Sequence, residues 1–367
     1  MLIVTTQCFP PVLGGIENLM YSLCVHLYES GHDLRVYADT CVSREDRQFD
    51  RALQFQTLRY SGLKPWRRRK KSRDIARLVR RPENHALIAD SWKSLEYLDT
   101  TLFSRVLCLA HGTELPLTPG KSKAARITHS LNKASVIVAN SSYTATRLGR
   151  YTGPDNHIQV IHPGINPPAV PGQDTQGLVR QRISGRSPVL ISIARLEPRK
   201  GLDQVLKMMP RVLQHYPHAL YIVAGEGSLC SQLELLAADL NINDHVLFCG
   251  RLNEPVKSCF LQYSDLFVLP GRGIGDDIEG FGMAFLEAAT HGIPAVAGRS
   301  GGAAEAVLHE QTGLVCEAGN PDGLADAVLS LLDDEELRRR LGDYARARSA
   351  GFLWKNRIKD YEKLLPP

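Results

Sequence analysis

The chain of 367 residues is long enough for two domains, each with its own core. Hydrophobic residues are 43% and charged residues 23%, which excludes the disordered and fibrous classes, and no apolar run approaches the roughly 20 residues that span a bilayer. The net charge of +5 says less than where the charges fall.

The opening stretch, "MLIVTTQCFPPVLGG", has no basic flank and breaks at Pro10-Pro11, so it reads as a first strand rather than an export signal. Gly14-Gly15 separates it from "IENLMYSLCVHLYESG", whose apolar positions Ile16, Leu19, Met20, Leu23 and Leu27 have helical spacing. Gly31 ends that helix, and "DLRVYAD" follows as a strand. A basic run comes next: Lys64, Arg67, Arg68, Arg69, Lys70, Lys71, Arg73, Arg77, Arg80 and Arg81 against the single acid Asp74. Such a run is a solvated helix or loop, or a surface for anionic lipid, for an acceptor bearing phosphates, or for nucleic acid. No helix-turn-helix, zinc-finger or RNP-like signature accompanies it, so nucleic acid is the weakest of these.

"ALIAD", "RVLCLAH", "SVIVAN" and "IQVIHPG" are the remaining strands expected in the first half. Strands alternating with helices predict a parallel sheet with right-handed crossovers, a Rossmann-like domain over 1–166. Residues 167–187, rich in Pro, Gly and polar residues, are the predicted linker. A second alternating run, "PVLISIARL", "ALYIVAGEG", "HVLFCG", "LFVLPG" and "PAVAG", predicts another Rossmann-like domain over 188–348. The tail 349–367 carries Phe352, Leu353, Ile358, Tyr361 and Leu364 on one helical face and is expected to return to the first domain. Facing parallel sheets would put a shared site in the cleft between them, at the strands' carboxyl ends.

The cysteines (Cys8, Cys24, Cys41, Cys108, Cys230, Cys249, Cys259 and Cys316) show no CxxC and no zinc-ligand spacing. Free thiols in a reducing cytoplasm are the expectation. Asp276-Asp277 has no third ligand nearby, so no metal is expected.

Several residues lie where strand ends would present them. Gly14 and Gly15 allow close backbone approach of an anion at a helix N-terminus, although the pair is not the GxGxxG pattern. Arg195 and Lys200, in "SIARLEPRKGLDQVL", follow a buried strand, and two cations from one loop can neutralise a diphosphate without a metal. A salt bridge between Arg195 and Glu197 is the plainer use. His111 ends "RVLCLAH" ahead of Gly112. Ser300-Gly301-Gly302, with Glu305 following, is another place of close approach.

The stretch "GDDIEGFGMAFLEA" holds Glu279 and Glu287, eight positions apart. On one helix they would be separated by roughly 12 Å. Glycosidase pairs stand about 5 Å apart when retaining and about 6.5–9.5 Å when inverting, so the spacing favours two separate contacts. Glu287, about two turns into the helix, suits a ribose diol, and Glu279 a group nearer the helix start. Phe281-Gly282 opens that helix, where backbone N–H groups are expected to be available to anionic or hydroxyl-rich ligands.

Taken together, "PPVLGGIE", "HGTEL", "ARLEPRKG", "EGFGMAFLE" and "SGGAAEAV" resemble, in order, the motifs of the family 4 retaining glycosyltransferases, which have the GT-B fold. "DDIEGFGMAFLEA" resembles the variant in bacterial phosphatidylinositol mannoside-type mannosyltransferases. The resemblance implies that Gly14 and Gly15 contact the donor phosphates and that Arg195 and Lys200 stabilise the leaving diphosphate. It gives Glu279 and His111 to the transferred sugar, Glu287 to the ribose, Gly250-Arg251 to the base, and the backbone of Phe281, Gly282 and Met283 to the sugar–phosphate cradle. It implies front-face transfer from a nucleotide sugar, GDP-mannose rather than a UDP-sugar, to a glycan or lipid-linked acceptor, with no cofactor. Arg67, Arg68, Arg69, Lys70 and Lys71 would meet the acceptor or an anionic membrane, making the enzyme cytoplasmic and peripheral on the inner face of the cytoplasmic membrane. Ala304 stands where the family commonly has proline before the glutamate. A nucleotide-sugar epimerase and a non-enzymatic sugar-binding protein are the competing readings of the same fold.

Overall fold

The computed structural model describes the chain except residues 13, 41–42, 80–84, 154 and 367. Leu13 of the glycine loop, Cys41, and Arg80 and Arg81 of the basic run lie outside the described residues. The chain forms two units, Met1–Gly164 with Leu353–Pro367, and Ile165–Phe352.

The first unit is built on seven parallel strands, β1 (Leu2–Thr6), β2 (Leu34–Asp39), β3 (Gln56–Tyr60), β4 (Ala86–Ala89), β5 (Arg105–Ala110), β6 (Val136–Ala139) and β7 (Ile158–Val160), ordered β3-β2-β1-β4-β5-β6-β7. Its helices are α1 (Gly15–Glu29), α2 (Ser43–Asp50), α3 (Lys64–Leu78), α4 (Trp92–Leu95), α5 (Lys121–Leu131) and α6 (Ser142–Leu148). Successive strand residues feed opposite layers: Val4 and Ile88 enter one apolar cluster, Ile3 and Leu87 the other. A sheet covered on both faces needs apolar residues at every position, which is why its central strands read as unbroken hydrophobic runs.

The second unit has six parallel strands, β8 (Val189–Ile193), β9 (Leu220–Ala224), β10 (Val246–Gly250), β11 (Leu266–Leu269), β12 (Ala295–Gly298) and β13 (Gly313–Cys316), ordered β10-β9-β8-β11-β12-β13. Its helices are α7 (Gln173–Ile183), α8 (Leu202–His215), α9 (Cys230–Asp239), α10 (Glu254–Gln262), α11 (Met283–Thr290), α12 (Ala303–Ala306), α13 (Pro321–Asp333) and α14 (Glu335–Ser349). In each sheet the strand order reverses beside the first strand, between β1 and β4 and between β8 and β11. Loops leaving the two central strands there diverge, and the crevice they leave is where open α/β sheets bind ligands.

The segment expected as a linker is corrected by the structure. Residues 173–183 form α7 inside the second unit, because Val179 and Ile183, four apart, bury one face. Arg180 donates to the Tyr263 hydroxyl at 2.5 Å, and Ser258 to the Ala169 carbonyl at 2.6 Å. The tail forms α15 (Trp354–Glu362) against α1. Trp354 stacks on His26 at 5.6 Å, and Arg105 donates to the Leu364 carbonyl at 2.9 Å.

Candidate functional site

The loop after β8 carries Arg195 and then a 3-10 turn, Pro198–Lys200. That turn is tied to the segment after β11, since the Arg272 amide donates to the Arg199 carbonyl at 2.8 Å. Across this junction Arg199 donates to Glu279 at 2.9 Å, and Lys200 donates to the same carboxylate oxygen. Arg199 also meets Asp277 at 3.1 Å and Glu197 at 3.3 Å. Burial alone would raise the Glu279 pKa, but the Lys200 and Arg199 charges and hydrogen bonds outweigh it and hold the carboxyl below its ordinary range. Glu279 is therefore an anion fixed by two cations.

Glu279 is fixed through its backbone as well. The Gly302 amide donates to the Glu279 carbonyl at 2.9 Å. A Cβ on Gly301 would stand 2.1 Å from that carbonyl, and one on Gly302 would stand 2.1 Å from the Gly280 carbonyl. The doublet in "SGGAAEAV" is thus needed for the loop after β12 to lie on the Glu279 loop. Gly282, at φ +92, caps α11 with no side-chain acceptor; its carbonyl takes the Phe285 amide at 3.1 Å, and the Met283 and Ala284 amides receive no side-chain cap. Phe281 is buried beneath it.

Glu287 lies one turn into α11, closer to the helix start than the two turns expected, because the helix begins at Met283. It pairs with Lys257 of α10 at 2.9 Å, and Lys257 also holds Glu254 at 2.9 Å. Burial would lower the Lys257 pKa; the two carboxylates reverse this and raise it. The two acids of "GDDIEGFGMAFLEA" thus have separate cationic partners. Arg195 stands apart: its side chain is 61% exposed and pairs with Glu197 at 3.1 Å. Gly250 ends β10 in the left-handed region at φ +59, and Arg251 beyond it is exposed.

In the first unit the Asp90 carboxylate, just past β4, gathers the neighbouring loops. It accepts from the Gln7 amide at 2.6 Å, Thr6 Oγ1 at 2.9 Å and Ser94 Oγ at 2.6 Å. His111 is buried, and its Nε2 lies 2.9 Å from the Asp90 carbonyl. A carbonyl can only accept, so Nε2 is the donor in this contact and Nδ1 is the ring nitrogen left over. Glu114 accepts from the His111 amide at 2.7 Å and fixes the "HGTE" turn. Gly14 is the N-cap and Gly15 the first residue of α1. The Glu17 carboxylate folds over them, 2.1 Å from where a Gly14 Cβ would be. An acid thus occupies the helix end at which a donor phosphate was expected.

The basic run is α3, and it does not present all five of its expected surface cations. Arg67, Lys71 and Ile75 recur at helical spacing on its inner face. Asp39 binds Arg67 at 2.5 Å and Lys71 at 2.7 Å, Lys71 reaches the Thr6 carbonyl at 2.8 Å, and Arg68 binds Glu96 at 2.9 Å. Arg69 and Lys70 face outward with Leu63 and Trp66, which are 74% and 68% exposed.

Arg199, Lys257, Asp90 and Asp39 were not singled out in the sequence. Arg199 sits inside a quoted motif beside Lys200, Asp39 and Asp90 close the quoted strands "DLRVYAD" and "ALIAD", and Lys257 carried no local signal. Among the described residues, no three His, Cys, Asp or Glu side chains are grouped as a metal ion would require. No helix is long and apolar enough to cross a membrane among those residues.

Residues 13–168 match the family described as Glycosyltransferase Family 4, and residues 178–348 match Glycosyl transferases group 1. The chain is 30% identical over 360 residues to the GDP-mannose-dependent alpha-(1-6)-phosphatidylinositol monomannoside mannosyltransferase of Mycobacterium tuberculosis, covering 94% of this chain and 92% of that one. It is 29% identical over 365 residues to the Corynebacterium glutamicum enzyme acting on the monoacylated monomannoside, covering 96% and 94%. Anabaena HepE, solved with UDP and glucose, shares the fold with a TM-score of 0.82 at 18% identity, covering 100% of this chain and 99% of that one. With both units matched and the motifs lodged at the carboxyl ends of the parallel strands, the chain belongs to glycosyltransferase family 4, retaining hexosyltransferases of the GT-B fold that use a nucleotide-sugar donor.

Proposed function

We propose that this enzyme transfers mannose from GDP-mannose to a lipid-linked acceptor at an anionic membrane surface. The observation that carries the reading is identity of 29–30% across more than nine-tenths of the chain to enzymes named GDP-mannose-dependent phosphatidylinositol monomannoside mannosyltransferases. Breaking the sugar–phosphate bond builds positive charge on the sugar and negative charge on the diphosphate. Lys200, with Arg199 and Arg195 in the same loop, suits the second, and the amides of Phe281, Gly282 and Met283 extend that anion site. Glu279 would take hydroxyls of the transferred sugar and Glu287 the ribose. His111 Nδ1 would accept from a sugar hydroxyl near the anomeric carbon.

The Glu279 carboxylate is held by Arg199 and Lys200, and a carboxylate so neutralised is a poor nucleophile. We therefore favour front-face attack, in which the departing diphosphate accepts the acceptor's proton. The outer face of α3 supports membrane contact, because exposed Leu63 and Trp66 adjoin Arg69 and Lys70. Incubation with GDP-mannose, UDP-glucose and UDP-N-acetylglucosamine, each with phosphatidylinositol-containing micelles, tests the reading. The expected result is a mannosylated lipid with the α configuration from GDP-mannose alone. Transfer from a UDP-sugar and none from GDP-mannose would overturn it.

A further inference from the structure

The first unit holds an open cavity of about 570 Å³ walled by Arg68, Trp92, Lys93, Lys121, Lys123 and Arg126. Five of those six side chains are cationic, and the carboxylate that meets them is Glu96, which binds Arg68 at 2.9 Å and Arg126 at 2.6 Å. Lys93, Lys121 and Lys123 make no ion pair with a described residue. Like charges converging on one space repel, and an anion entering it relieves them all at once.

The backbone adds to the same field. Gly120, on the cavity wall, is the N-cap of α5, with no side-chain cap and no acid in the first turn. Its first amides therefore complement Lys121 and Lys123. Trp92 is a rigid wall: its N–H is spent on the Glu114 carbonyl at 3.1 Å, and Lys93 and Arg126 lie over its ring at 5.9 and 5.8 Å. A ring already covered by two cations does not suit a stacked base. The volume is many times that of one water, about 30 Å³ in the liquid, so a bare phosphate would leave most of it empty. A phosphate with a polyol attached fits both charge and size.

We propose that this cavity binds the phosphate ester of a polyol headgroup in the acceptor, with Lys121, Lys123 and the α5 amides on the phosphate and Lys93 and Arg126 beside it. Calling the ligand an acceptor rests on the transferase reading above, but not on mannose as the sugar. Calorimetric titration with glycerophosphoinositol, with neutral myo-inositol, and with micelles containing phosphatidylinositol tests the idea on wild type and on Lys121→Glu/Lys123→Glu. Both lysines are exposed, and acids are favoured in a first helical turn, so the variant keeps the fold. The soluble ester should bind wild type and myo-inositol should not. Each lost charged contact should cost roughly tenfold in affinity, about a hundredfold for the pair, with GDP affinity unchanged.

If micelles and soluble ester bind alike, the ester itself is read; if only micelles bind and the variant loses them, the ester is read within a lipid headgroup. Equal affinity of wild type and variant for both, or binding of myo-inositol as tight as the ester, overturns the proposal. Should GDP-mannose fail as donor while the variant still loses the ester, only the mannose reading falls. Should mannose be transferred with an acceptor KM unchanged in the variant, only this proposal falls.

Discussion

Arg199 holds the Glu279 carboxylate at 2.9 Å from a loop 80 residues earlier in the chain, and Lys200 closes on the same oxygen. The position of Glu279 is therefore set by the strand ends that carry these cations. Glu279→Gln keeps the shape and removes the charge, and it should lower kcat by about a hundredfold or more while leaving the donor KM near its wild-type value. Arg199→Lys, which keeps a charge but not the planar fork, should lower kcat by about tenfold. Steady-state kinetics with donor hydrolysis as a parallel readout would check both.

The same cluster sets a pH dependence of stability. Its cations hold the folded-state pKa of Glu279 below the ordinary value of 4.5. As pH falls, the unfolded chain binds the proton first, so this stabilisation is complete above about pH 4.5 and drains as pH passes through the folded value. Urea melts between pH 6 and pH 3 should show a shallower acid decline for Glu279→Gln than for wild type.

Glu287 and Lys257 predict a different kinetic signature. Glu287→Ala should raise the donor KM by about tenfold, the cost of charged hydrogen bonds to a diol, with kcat changed little. Lys257→Met should raise KM in the same direction, because it frees the carboxylate that Lys257 now orients. A fall in kcat with KM unchanged would move Glu287 to the reacting centre.

The two faces of α3 should separate in experiment. Lys71→Met leaves Asp39 as a buried charge short of one partner and should cost about 3–5 kcal/mol in a denaturant melt. Arg69→Ala/Lys70→Ala should change stability by about 0.5 kcal/mol or less, yet weaken binding to anionic vesicles in a manner that disappears at high salt.

The returning tail gives a last stability test. Trp354 is buried against Gly164, whose added Cβ would meet the indole at 2.4 Å. Trp354→Ala should cost about 3–5 kcal/mol, read as a lower Tm of the first unit by calorimetry.

Sheet architecture was legible wherever a strand is covered on both sides, as in "LIVTT" or "LFVLPG", since burial writes itself as an apolar run. The two strands not foreseen, β3 and β13, are both sheet edges. An edge strand keeps polar residues such as Gln56 and Arg59, so its pattern is diluted. Composition misjudged 167–187, because the Pro and Gly around α7 outweighed the Val179–Ile183 face. Glu279, Lys200 and Glu287 were legible from motif and spacing. Their partners were less so: Lys257 is 30 residues from Glu287, and Asp39 meets Lys71 only through sheet order. The inward turn of Arg67 and Lys71 follows from that pairing, which no local window contains.

The return of α15 to α1 makes the first unit discontinuous, whereas Ile165–Phe352 is one uninterrupted piece. During synthesis, then, α1 waits for its covering helix until Trp354–Glu362 has left the ribosome, after all of Ile165–Phe352. The later-made unit has everything it needs sooner. Assembly order is inverted relative to chain order, and the flank of α1 around His26, on which Trp354 stacks, is the surface left uncovered in the interval.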